Sequence, residues 1–108
     1  MKKALILLVF VATQMVAQTP QELFVLGNQA YANQNYTEAL AHYTTIADSS
    51  WQSPALYFNM ANSYYRLNQV GYAILYYEKA NKLSPNDSHT VNSLTLTRTK
   101  ITDKQFFF

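Results

Sequence analysis

Residues 57–77 carry the chemistry that stands out in this chain: Tyr57, Tyr64, Tyr65, Tyr72, Tyr76 and Tyr77, interleaved with Asn59 and Asn62. Phenol rings offer flat apolar area with one polar tip, and each amide offers two donors and an acceptor. Such a set suits binding by stacking and hydrogen bonding. Catalytic sets are missing. His42 and His89 have no partner at metal-ligand spacing, and the six acidic residues are scattered rather than paired. Gly27 and Gly71 are the only glycines, too few for a loop that cradles phosphate. There is no cysteine, hence no disulfide, thiolate site or lipid-modified thiol. These residues lead to the expectation of no enzyme, no metal and no cofactor.

The net charge of +2 resides in Lys2 and Lys3. Beyond residue 17 six Lys or Arg balance six Asp or Glu, so no basic footprint exists and nucleic acid is excluded as a partner. The same two lysines precede the uncharged run "ALILLVFVATQMVA" and the polar "QTP", the three-part pattern of a secretory signal peptide over residues 1–17. The run is short for a bilayer span, although an uncleaved membrane tether is the alternative reading. Residues 105–108 form an apolar tail, and Phe106–Phe108 or the N-terminal segment are the places for membrane contact.

The elements that position the tyrosines and asparagines follow from a repeat. A shift of 34 residues lays Leu23 on Tyr57, Leu26 on Met60, Gly27 on Ala61, Asn28 on Asn62, Tyr31 on Tyr65 and Tyr43 on Tyr77. Helix starts recur at the same step. Thr19-Pro20 and Ser53-Pro54 read as a capping hydroxyl followed by proline at the first helical position, Glu22 completes a capping box, and Asp87 is a third cap. Apolar residues run at helical spacing, as in Leu23, Leu26, Gly27, Ala30 and then Ala39, Leu40, Tyr43, Ile46. "NQNY" (33–36) and "LNQVG" (67–71) break the helices and bring asparagine or glycine for a left-handed turn. The pattern predicts helices over 20–33, 36–48, 54–67, 70–83 and 88–104. The domain spans 20–104, with repeats 20–53 and 54–87 and a terminal helix 88–104.

The second unit, with Tyr57, Met60, Ala61, Tyr64, Ala73, Tyr77, Ala80 and Pro85, resembles the tetratricopeptide (TPR) repeats; the first matches more loosely through Leu23, Leu26, Gly27, Ala39 and Tyr43. The fold class implied is all-α, a TPR helix-turn-helix solenoid of about two repeats closed by a solvating helix, where Thr95 and Arg98 replace a small residue and a ring. Trp51 stands where a closing proline is usual, and packing over the junction is its expected use. The phrases "LGNQAY…NYTEALAHY" and "LYFNMANSYYRLNQVGYAILYYEKANKLSPND" also resemble the exported repeat region of BatE-like proteins from Bacteroidetes aerotolerance operons, which implies a short or truncated member.

In TPR arrays the first helix of each unit lines a concave groove that takes a protein or peptide partner. By that resemblance the groove residues are Phe24, Asn28, Tyr31 and Ala32, then Phe58, Asn59, Asn62, Tyr65 and Arg66, with His89, Asn92, Ser93 and Leu96 from the last helix. Asn28 and Asn62 carry an equal alternative: bonding within the array. Some relatives clamp a carboxylate with two asparagines and three cations, but the matching positions Phe24, Asn28, Asn59, His89 and Ser93 lack every cation. Arg66 is the cation expected to reach the groove and pair with one acidic group. The implied function is a non-catalytic scaffold in the envelope, exported to the periplasm or inner membrane; the alternative is a membrane-tethered assembly subunit.

Overall fold

The computed structural model describes residues 17–105, with side chains described through Ile101. The signal-segment and apolar-tail expectations fall outside the described residues except at Ala17 and Gln105. Five helices follow one another: α1 Pro20–Ala32, α2 Tyr36–Asp48, α3 Pro54–Arg66, α4 Val70–Leu83 and α5 Ser88–Gln105. Among the described residues no helix is long and apolar enough to cross a membrane.

Local chemistry sets the helix starts. The Thr19 hydroxyl accepts from the Glu22 amide at 3.2 Å while the Glu22 carboxylate accepts from the Thr19 amide, a complete capping box. Ser53 Oγ accepts from the Leu56 amide at 3.0 Å, and Asp87 Oδ1 from the Thr90 amide at 3.2 Å. The turns inside each unit also repeat. Gln34 (φ 63°) and Asn68 (φ 60°) take the left-handed conformation, and the next residues, Asn35 and Gln69, donate back to the carbonyls of Ala30 and Tyr64. Here the expectation needs correction: glutamine, not asparagine or glycine, makes the first turn, and Gly71 lies inside α4 with no positive φ.

Each first helix packs on its own second helix, and each second helix on the next first helix, with only slight contact between α1 and α3. Two apolar clusters result. One joins Leu23, Ala30, Tyr43, Ile46, Leu56 and Met60, and the other Ala61, Ala73, Tyr77 and Leu94. Gly27 is required by this packing, since a Cβ there would overlap the Tyr43 ring. Leu26, expected beside Leu23 in the core stripe, is only half-buried, whereas its equivalent Met60 is fully buried against α2. The difference is that no helix precedes α1 among the described residues. On α5, Thr95 and Arg98 are exposed, giving that helix a polar outer face.

Candidate functional site

Two tyrosines of the second helices organise the inner face. Tyr43 is 1% exposed and Tyr77 3% exposed, so each buried hydroxyl needs a partner. Tyr43 donates to Asn28 Oδ1 and Tyr77 donates to Asn62 Oδ1, the same bond one repeat apart. Their phenols are pushed up to about 12, chiefly by burial; Asn59 beside Tyr43 and Ser93 beside Tyr77 oppose that rise through hydrogen bonding. Asn59 and Ser93 are themselves 34 residues apart. The third unit has Leu96 where Asn28 and Asn62 stand.

This accounts for several residues expected in the groove. Asn28 Oδ1 accepts from both Tyr43 and Asn59 Nδ2, the latter at 3.0 Å, so these two amides engage one another between α1 and α3. Phe24 and Phe58 pack tilted against Tyr43 and Tyr77, with ring centroids 5.9 and 5.7 Å apart. Phe24 also turns to a second place, an apolar pocket of 380 Å³ that it lines with Pro20, Val25 and Trp51. Trp51 lines this pocket but remains half-exposed rather than buried over the junction. Ala32, His89 and Asn92 are exposed and line no part of the central cavity.

What remains comes together. Tyr31, Asn62, Tyr65 and Arg66 line one cavity of 300 Å³ with Tyr77, Ser93, Leu96 and Thr97. Its walls come from α1, α3 and α5, with Tyr77 of α4 behind, so it lies on the inner side of the array. Arg66 Nε donates to the Tyr31 hydroxyl at 3.4 Å. Arg66 occupies the last turn of α3, where the helix macrodipole favours a cation. Tyr65 is covered from α5 by Lys100, whose ammonium sits 4.0 Å from the ring centroid. Lys100 escaped the sequence reading, although it lies one repeat beyond Arg66.

Tyr64, Tyr72 and Tyr76 form a separate stack on the α3–α4 pair, while Tyr36 of α2 packs edge-on against Tyr31. Tyr64 stacks on Tyr72 and Tyr76 at 5.2 and 5.4 Å, and Lys79 caps Tyr76 at 4.9 Å. His42 lies 3.7 Å from Glu38 along α2 and approaches no other potential ligand set, since the described residues contain no group of three such side chains. The aromatic run of residues 57–77 thus divides into an outer stack, buried core rings and the cavity-lining Tyr65.

Residues 54–87 match the family model of the tetratricopeptide repeat. That span is the second unit, from the residue after the Ser53 cap to Asp87. No curated protein matches the chain. The fold is an all-α TPR solenoid. TPR repeats generally mediate protein–protein interactions, take protein or peptide partners, and are generally non-catalytic.

Proposed function

We propose that this chain is a non-catalytic interaction scaffold of the bacterial envelope, binding a protein or peptide partner in its concave groove. The observation that carries the reading is the inner cavity of Tyr31, Asn62, Tyr65, Arg66 and Leu96, which persists after the core has used the other aromatic and amide side chains. A half-buried ring beside an exposed arginine is the composition of interface hot spots. The envelope location rests on the signal-like residues 1–17, and association with aerotolerance rests on the BatE-like resemblance.

The test is photo-crosslinking in the native host with a photoreactive residue placed at Leu96, and at Tyr72 on the outer surface as control. A partner adduct at 96, weak at 72 and lost on adding Tyr65→Ala to a folded chain, is the expected outcome. Equal adducts at both positions, or indifference to Tyr65→Ala, would overturn the groove. Mass spectrometry of the N-terminus decides the location: a start at Gln18 fits export, and retention of Met1 fits the membrane-tethered assembly subunit.

A further inference from the structure

Position by position, the inner face repeats a contact between units. Arg66 of α3 reaches back to Tyr31 of α1, and Lys100 of α5 reaches back to Tyr65 of α3. Both cations and both tyrosines are 34 residues apart. The groove therefore carries a ladder in which each rung joins a cation to the tyrosine of the preceding unit, Arg66 through the Tyr31 hydroxyl and Lys100 over the face of the Tyr65 ring.

The hydrogen-bond inventory around the upper rung is one-sided. Arg66 spends Nε on Tyr31, leaving both terminal nitrogens of its fork. Tyr31, by accepting from Arg66, keeps its own proton to give. Asn62 Oδ1 is taken by Tyr77, which turns the amide nitrogen away from that bond as a donor. No carboxylate lines the cavity, and among the described side chains Glu78 is paired with Arg98, Glu22, Glu38 and Asp87 sit at helix starts and Asp48 ends α2. A cavity that offers donors and one cation, Arg66, and no carboxylate is complementary to a carboxylate.

We infer that the groove takes an acidic protein segment, with one Asp or Glu side chain seated on Arg66, Tyr31 and Asn62, and a second acid farther along facing Lys100. This deepens the groove reading and rests on it. The seat differs from a clamp built on Asn28 and Asn59, because those two amides are bonded to each other. Leu96 and the Tyr65 ring supply the apolar floor on which the segment's neighbouring side chains lie. Exposed cations contribute rim electrostatics, so affinity falls as salt rises toward a Debye length shorter than the spacing of the charges.

The test starts from a displayed library of random dodecapeptides selected on the immobilised full chain. Peptides that bind are synthesised and measured by fluorescence polarisation against the folded wild type and variants. Enrichment of Asp or Glu is expected, and changing the seated acid to its amide weakens binding about tenfold. Arg66→Gln weakens the acidic peptide about tenfold and leaves the amide peptide unchanged; Lys100→Gln costs the acidic peptide a few-fold. Peptides without acids, or an equal effect of Arg66→Gln on acid and amide forms, overturn the acidic seat. If such peptides still lose binding in Tyr65→Ala, the groove reading stands without the seat. A selection that yields no peptide sensitive to Tyr65→Ala removes both.

Discussion

Asn62 looks like a ligand contact in the sequence and turns out to have a second duty. Its carbonyl satisfies the buried hydroxyl of Tyr77, as Asn28 does for Tyr43. Asn62→Ala should therefore destabilise the fold by about 1–3 kcal/mol, the cost of stranding a buried hydroxyl, seen as a lower urea midpoint with an unchanged slope. It is a poor probe of the groove for that reason, and Tyr65→Ala is a cleaner one. The same two phenols make the protein sensitive to alkali. Their folded values lie near 12, above the roughly 10 of an unfolded tyrosine. Stability is fully present below pH 10 and declines as pH rises toward 12, by up to about 2–3 kcal/mol per phenol. Urea melts at pH 9 and 11 should show the drop, and Tyr77→Phe should remove part of it. The Asn–Tyr spacing was open to reading at the 34-residue step, but the direction in which each amide faces emerges only when two helices are brought together.

At the scale of elements the sequence is most readable where the chemistry is local. Thr19, Ser53 and Asp87 announce helix starts because a cap needs only its own next three residues, and all three cap as their spacing implies. Helix ends agree within a residue because the turns recur. The identity of the left-handed residue was less legible, since Gln34 holds a conformation that glutamine does not favour and the repeat geometry imposes it. Gln34→Gly should relieve that strain and raise stability by about 1 kcal/mol, read as a higher melting temperature. If the melting temperature falls instead, the left-handed turn is not the strained point. The rungs at Arg66 and Lys100 belong to no single helix. Periodicity could place Lys100 at the groove position, but only packing shows which ring it covers.

For the whole molecule, each helix touches its neighbours in the chain and little else. Such quasi-one-dimensional packing lets the ends open before the middle. Amide exchange should be fastest in α1 and α5, each packed chiefly on one neighbour, and slower in α2, α3 and α4, which have a neighbour on either side. Equal protection in α5 and α3 would mean that the units do not open separately. The two rungs have a mechanical consequence at this scale. Arg66 ties α3 to α1 and Lys100 ties α5 to α3, each crossing a joint on the inner side of the bend. They act as struts in a spring: flexing the array stretches or slackens them. A partner that draws Arg66 off the Tyr31 hydroxyl, or Lys100 off the Tyr65 ring, would loosen a tie between two units, so binding and the stiffness of the array are linked.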